Sequence, residues 1–213
     1  MAHVSYDRFS KGCHVNFSLW QDGSNLFFSS KEKPRSPALE HVVAGILATF
    51  SEFTLLYAPT PNSFRRFAPY RWTGMNAAWA LDNKSVALRV VNETHDSARL
   101  EQRAAGAAVN PYIAIAAVMA AGRYGLENQL HPPSPVCGDA YVNDEVSSLP
   151  QDMASALALF RKSRVAREYL GEDFVRFYAH TREAELCLFN DQDNEPRDSR
   201  LTDWELKRYF ELI

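Results

Sequence analysis

Apolar residues recur in two long stretches of the chain at intervals of three and four positions, which is the spacing of an α-helix. The first stretch begins at Ala38 and contains Leu39, Val42, Val43, Ile46, Leu47 and Phe50. The second follows Asn110-Pro111, a pair that favours a helix start because Asn caps the first turn and Pro fits the first helical position. It stops before Pro132-Pro133. The pattern predicts two long core helices.

Beyond Pro150, helical spacing or helix-forming composition continues to the end of the chain. It predicts helices at residues 151–161, 164–169, 172–189 and 202–212. Thr202, followed three positions later by Glu205, is typical of a capped helix start. Acidic residues of this region, such as Glu183 and Glu185, are expected on a solvated helix face.

Strands are predicted where side chains alternate, because successive residues of a strand point to opposite faces. Residues 86–91 have strand composition, with Arg89 inside the segment. Residues 98–103 alternate, so that Arg99, Glu101 and Arg103 share one face. Two cations therefore flank one carboxylate on a predicted strand.

A third strand is expected between Cys13 and Trp20, with His14, Asn16 and Ser18 on one face. Residues 22–25 predict a turn and residues 26–28 a returning strand. Residues 62–72, rich in arginine and aromatic side chains, predict a loop.

Length and composition narrow the class of protein. A chain of 213 residues with 46% hydrophobic residues fits one domain with a sizeable core. A net charge of -3 gives no reason to expect nucleic acid or a membrane surface as a partner. The apolar runs are too short for a transmembrane helix, and no basic-then-apolar signal opens the chain. Three cysteines without a CxxC pair indicate reduced thiols, so we expect a cytoplasmic protein.

The charged strand face has two interpretations. Arginine binds phosphate and carboxylate oxygens through two parallel hydrogen bonds, so the face could hold a metal ion together with oxyanions. Alternatively, it is a solvated strand face, and a lone histidine such as His14 is more often a structural residue.

Four motifs, in order, resemble the glutamine synthetase family. His14-Val-Asn-Phe-Ser18-Leu-Trp20 is similar to the family's H-V-H-x-S-L-W strand, and Asn62-Ser-Phe-Arg-Arg-Phe67 to its N-S-Y-K-R-L/F loop. Arg99-Leu-Glu-Gln-Arg103 resembles its R-x-E-x-R strand, and Asn110-Pro-Tyr112 its N-P-Y helix start. The resemblance runs from about residue 12 to residue 213.

The resemblance implies an α+β fold, in which a curved antiparallel sheet bears the site, helices back it and the C-terminus is helical. Residues 1–213 would form a single domain, similar to the C-terminal portion of a glutamine synthetase catalytic domain. Complete members carry an N-terminal domain and a Glu-x-Glu strand, neither of which the sequence contains. The chain is therefore expected to be incomplete as an enzyme.

Position by position, the resemblance also implies functional roles. His14 and Glu101 match ligands of the Mg²⁺ or Mn²⁺ ion that accompanies ATP. The residues that match nucleotide or phosphate contacts are Ser18, Lys84, Arg89 and Arg99, and those that match catalytic positions are Arg66, Arg89 and Arg103. Asn16 and Lys84 depart from the family's histidine and arginine. Arg65 matches no family role and is expected at the surface.

The implied activity is an ATP-dependent ligase of nitrogen metabolism and glutamine biosynthesis. It would join glutamate to ammonia or an organic amine through γ-glutamyl phosphate, as a homo-oligomer if full length. Trp72 stands where ammonia-using members have an acid, which favours a larger amine unless Trp72 simply packs the loop. The alternative is a non-catalytic relative with a structural or assembly role.

Overall fold

A computed structural model of the chain describes residues 1–3, 10–30, 36–68, 73–143, 146–191 and 201–210. The strands in these ranges are β1 Val15–Phe17, β2 Trp20–Gln21, β3 Ser24–Asn25, β4 Trp79–Leu81, β5 Leu88–Val91 and β6 Arg99–Gln102. The helices are α1 Pro37–Tyr57, α2 Pro61–Phe64, α3 Pro111–Glu127, α4 Met153–Lys162, α5 Arg164–Leu170, α6 Glu172–Asn190 and α7 Asp203–Tyr209. The α+β class expected from the sequence is confirmed.

The main sheet has four strands in the order β1-β6-β5-β4. β6 lies between β1 and β5 and pairs with both in the antiparallel sense, as expected. β4 was not predicted, and it pairs with β5 in the parallel sense, with Trp79 opposite Leu88. Three residues are too few to show alternation, so the sequence pattern missed this strand. The sheet is therefore mixed at one edge.

Helices α1 and α3, both expected from their apolar spacing, pack closely against each other. Gly45 and Gly125 lie where the two backbones meet, and a Cβ on Gly125 would overlap the carbonyl oxygen of His41. Asn110 caps α3, because its side chain accepts a hydrogen bond from the backbone N–H of Tyr112 at 3.0 Å. The sheet and helices α4 to α6 pack on the same core.

Over the described residues the C-terminal helices also follow the prediction, including a capping box between Thr202 and Glu205. Residues 211 and 212 of the last predicted helix lie outside the described residues. The interpretation of Glu185 is wrong. This residue is buried, and its carboxylate accepts hydrogen bonds from Arg208 and from the hydroxyl group of Tyr209. Glu183 is partly exposed, and it pairs with Arg161 at 2.6 Å.

Two local predictions need correction. The strand that returns to β2 is β3, Ser24–Asn25, which begins directly after the Asp22-Gly23 turn, whereas residues 26–28 are not a strand. The turn is two residues tighter than expected because Asp22 and Gly23 both have positive φ, at 49° and 77°. At the start of the predicted loop, residues Pro61–Phe64 form the short helix α2, capped by Thr60. Residues 69–72 of that loop lie outside the described residues.

One helix in the described ranges, α1, is long and apolar enough to cross a membrane by length and composition alone. Of its most apolar stretch, 67% is buried inside the protein, which is typical of a core helix. The three cysteines are present as free thiols.

Candidate active site

Strand pairing places Glu101 at the centre of a charged cluster. Along β6, Glu101 lies directly opposite Asn16 of β1 on one side and Arg89 of β5 on the other. Side chains of directly paired residues point to the same face of a sheet. The register therefore brings together the side chains that the alternation pattern had placed on one face.

The Glu101 carboxylate contacts three of the predicted site residues. Its Oε1 lies 3.1 Å from Nδ1 of His14, and its Oε2 lies 3.0 Å from Nη1 of Arg89 and 3.1 Å from Nη1 of Arg103. Glu101 is only 8% exposed, whereas the side chain of His14 is 29% exposed. The structure brings these four predicted site residues together as a carboxylate held between two arginines and an imidazole, and their proposed roles stay predictions.

The environment of Glu101 decides its charge. Burial alone would raise the pKa of this carboxyl group, but the hydrogen bond to His14 and the positive charges of Arg103 and Arg89 outweigh it and lower the pKa to about 2. The group is therefore ionised at neutral pH, as a metal ligand must be.

We expect the Glu101 cluster to stabilise the fold above pH 4.5, the usual value for this carboxyl group, and to lose that contribution as the pH falls toward 2. The depressed pKa means that the unfolded chain takes up the proton first, so acid favours unfolding. Solvent near the partly exposed His14 screens these charges, so the contribution is about 1–3 kcal/mol. Urea unfolding of the parent and Glu101→Gln at several pH values tests this. The difference in unfolding free energy should shrink across that window, and a constant difference would contradict it.

Arg66 lies deeper than a substrate-facing residue would be expected to lie. It is 1% exposed, and its Nη1 and Nη2 donate hydrogen bonds to the carbonyl oxygens of Ala104 and Ala105 at 2.9 and 3.2 Å. Burial lowers the pKa of its guanidinium to about 10. Gly12 and Gly106 approach it so closely that side chains there would collide with it or with His14. Its guanidinium is therefore held against the backbone that follows β6.

The remaining predicted residues lie toward the edge of the sheet. Arg99 donates a hydrogen bond from Nε to Oδ1 of Asn16 at 3.2 Å. The hydroxyl group of Ser18 accepts one from Nε1 of Trp20 at 2.8 Å. Lys84 is exposed in the connection between β4 and β5. Their proposed contacts with nucleotide stay predictions. Trp72 lies outside the described residues, so the amine prediction is untested as well.

Sequence reasoning missed two charged residues beside this site. Asp82, held at a positive φ of 44°, lies 3.1 Å from Nε of Arg89 and forms an ion pair with it, but not a hydrogen bond. Arg65, expected at the surface, instead forms two hydrogen bonds of 2.8 Å with Glu205 of α7. The Thr202–Glu205 spacing indicated only a helix cap, because nothing local connects Glu205 to a residue 140 positions earlier.

The residues present fit part of a metal site. An imidazole nitrogen and a carboxylate oxygen are suitable ligands for Mn²⁺, and the carboxylate alone suits Mg²⁺. In the part of the chain that the structure describes, no cluster of three or more histidine, cysteine or acidic side chains occurs. His14 and Glu101 therefore offer two protein ligands, and oxygens from elsewhere must complete the coordination.

The family profile described as "Glutamine synthetase, catalytic domain" matches residues 1–209. Type-1 glutamine synthetase 2 of Dictyostelium discoideum is 38% identical over 205 residues, 94% of this chain and 38% of that protein. Gamma-glutamylethanolamide synthetase GlnA4 of Streptomyces coelicolor is 38% identical over 94% of this chain and 41% of its own length. Glutamate–isopropylamine ligase of a Pseudomonas species is 35% identical over 100% of this chain and 46% of its own length. The chain thus spans less than half the length of these relatives.

A solved structure described as a GmaS/ADP complex superimposes with a TM-score of 0.77 at 28% identity, covering 94% of this chain and 46% of that one. A structure described as apo GmaS without ligand gives a TM-score of 0.75 at 27% identity, over 95% of this chain and 45% of that one. The fold of the described residues is therefore that of the corresponding part of these structures.

Proposed function

Because this chain belongs to the glutamine synthetase family, we propose that it carries one half of the active site of an ATP-dependent ligase acting on glutamate and ammonia or a small amine. The observation that carries the proposal is the ionised Glu101 carboxylate, held by His14, Arg89 and Arg103 on one sheet face. Such an arrangement suits a reaction in which negative charge gathers on transferred phosphate.

Each side chain of the cluster has a part in this proposal. Glu101 and His14 would hold Mg²⁺ or Mn²⁺, which offsets phosphate charge when bound with ATP. Arg89 and Arg103 would bind phosphate or acyl-phosphate oxygens, because their guanidinium groups already present N–H donors to a carboxylate here. Ser18, Lys84 and Arg99, nearer the edge of the sheet, would contact the nucleotide. Arg66 would contribute to the glutamate site from behind the end of β6.

The names of the relatives support an organic amine as well as ammonia. Two of them are named for ethanolamide synthesis and for isopropylamine. Trp72 adds to this support, because an indole offers an apolar wall where an acid would bind ammonium. We propose a small organic amine as the preferred second substrate, in a cytoplasmic homo-oligomeric enzyme when the remaining half is present.

A non-catalytic role is the second candidate, and one observation favours it for the chain by itself. Within the described ranges the cluster offers only two metal ligands, His14 and Glu101, whereas the phosphate groups of ATP carry several negative charges. A chain that spans less than half of its relatives could bind nucleotide without turning it over.

We expect no glutamate-dependent ADP release from the 213-residue chain by itself. When the chain is fused to the earlier half of the isopropylamine ligase relative, we expect activity, because that half would supply the missing ligands. ADP release is measured with ammonium, ethanolamine and isopropylamine at equal concentration, and an amine should give the highest kcat/KM. Turnover by the chain alone, abolished by Glu101→Ala, would show that it is sufficient. A silent fusion that is folded would contradict the ligase assignment.

A further inference from the structure

A buried carboxylate ties the C-terminal helix α7 to the segment that precedes Arg66. Glu205 is 0% exposed. Its Oε1 accepts hydrogen bonds from Nε of Arg65 at 2.8 Å and from Nδ2 of Asn62 at 3.2 Å. Its Oε2 accepts from Nη2 of Arg65 at 2.8 Å, and from the backbone N–H and hydroxyl group of Thr202 at 3.0 and 3.1 Å. These bonds offset the cost of burying the charge.

From Arg65 the contacts continue to the candidate site. Arg66 is the next residue, and its guanidinium donates to the carbonyl oxygens of Ala104 and Ala105. Those carbonyls lie just beyond Arg103, the residue after the end of β6, which is the strand that carries Glu101. The hydrogen bonds that Arg65 donates to Glu205 and those that Arg66 donates to Ala104 and Ala105 are linked by the peptide bond between residues 65 and 66. Together they join the C-terminal helix to the segment that follows the site strand.

We propose that Glu205 is a positioning residue, which fixes Arg65 and thereby keeps the Arg66 guanidinium against the backbone at the end of β6. Glu205 itself touches none of the reacting groups. The inference rests on the proposed function, because the placement of Arg66 matters for catalysis only if the chain carries that site.

Attachment of α7 alone does not account for Glu205. A second buried carboxylate, Glu185 of α6, already holds α7 through Arg208 and Tyr209, with distances of 2.7 Å to Nη2 and 2.5 Å to the hydroxyl oxygen. Two buried carboxylates therefore hold one short helix. Of these two, only Glu205 accepts hydrogen bonds from the segment before Arg66. A carboxylate that is fully buried is stable only when hydrogen-bond donors surround it. Its link to Arg65 is therefore specific.

In the 213-residue chain, Glu205→Gln tests whether Glu205 only attaches α7 or also positions Arg66. The amide keeps the shape of the side chain, but its NH₂ group must face N–H donors of Arg65 or Thr202, so one or more bonds are lost. By hydrogen exchange, amides of residues 62–67 and of Ala105 and Gly106 should exchange roughly tenfold faster or more, since bonds to charged groups are the stronger ones. Glu185→Gln is the matched control, and it should accelerate exchange only within α6 and α7.

A second readout follows Arg66 directly by NMR. In the parent, the Nη protons of Arg66 should give separate, slowly exchanging signals, assigned by their loss in Arg66→Lys. In Glu205→Gln these signals should broaden or merge with solvent, while Glu205→Asp, which keeps the charge, should retain them in part. Unchanged exchange at Ala105 and Gly106 in Glu205→Gln, or an equal increase in Glu185→Gln, would overturn the proposal. Neither readout uses a ligand. A negative result would therefore overturn the role of Glu205 without affecting the proposed function, which is tested separately by metal binding.

Discussion

Gly125→Ala is expected to destabilise the protein strongly, although it adds only one methyl group between the two long helices. The new Cβ would overlap the carbonyl oxygen of His41 and lie 2.8 Å from the Cα and backbone nitrogen of Gly45. All of these atoms belong to the backbone of α1, so no side chain can rotate away, and α1 and α3 must move apart. Overpacking of this kind costs about 3 kcal/mol or more, well above the gain of about 1 kcal/mol in helix propensity.

Gly122→Ala, on the same helix, is the matched control. Its Cβ would meet only side-chain atoms of Val42, at 3.3 and 3.7 Å, and a few tenths of an ångström of movement relieves that contact. Stability should therefore stay within about 1 kcal/mol of the parent. In thermal unfolding followed by circular dichroism, the melting temperature of Gly125→Ala should be roughly 6–12 °C below that of the parent, if the variant folds at all. Equal melting temperatures for the two variants would show that the helices are not packed at backbone contact.

The same two helices show what the sequence could predict. Regular apolar spacing placed α1 and α3, and Asn110-Pro111 placed the start of α3, because capping and periodicity are local properties. The close approach at Gly125 was not predictable, since it depends on which residues of α1 lie opposite. Glycine in a helix signals a penalty without showing the contact that makes it necessary.

For the candidate site too, local patterns predicted some residues and missed others. Alternation placed Glu101 and Arg103 on one face, strand composition placed Arg89 within a predicted strand, and a family motif added His14. The structure brings all four together. Glu185 was misassigned to solvent because its partner Arg208 lies 23 positions later, in another helix. Polar spacing on a helix does not distinguish an exposed face from one that meets a buried ion pair. Local sequence patterns therefore do not predict which charged residues pair over long distances in the chain.

The second large effect concerns metal binding at the Glu101 cluster. With two protein ligands, Mn²⁺ should bind weakly by itself and more tightly with ADP, whose phosphate oxygens complete the coordination. Glu101→Gln removes the charged ligand and leaves Arg89 and Arg103 to repel the cation. His14→Asn removes the imidazole ligand while Glu101 keeps its contacts with both arginines. Each change should weaken Mn²⁺ binding in the presence of ADP by roughly 10–100-fold or more, since even indirect partners of a metal contribute that much.

His14→Asn also tests whether lost Mn²⁺ binding merely reflects unfolding of the protein. The side chain of His14 is 29% exposed at the sheet edge, so its replacement should leave the fold intact, and lost binding would not reflect unfolding. Glu183→Gln is the control for removing any arginine-paired carboxylate, because Glu183 pairs with Arg161 between α4 and α6.

Electron paramagnetic resonance of free Mn²⁺, titrated with the chain in the presence of ADP, tests the ligand assignment directly. The parent and Glu183→Gln should remove the free Mn²⁺ signal with the same dissociation constant. Glu101→Gln and His14→Asn should leave most of the free Mn²⁺ signal that remains with ADP alone, at the same protein concentration. Identical dissociation constants for all four proteins, or no Mn²⁺ binding by the folded parent, would contradict the proposal that this face of the sheet is half of a metal-dependent ligase site.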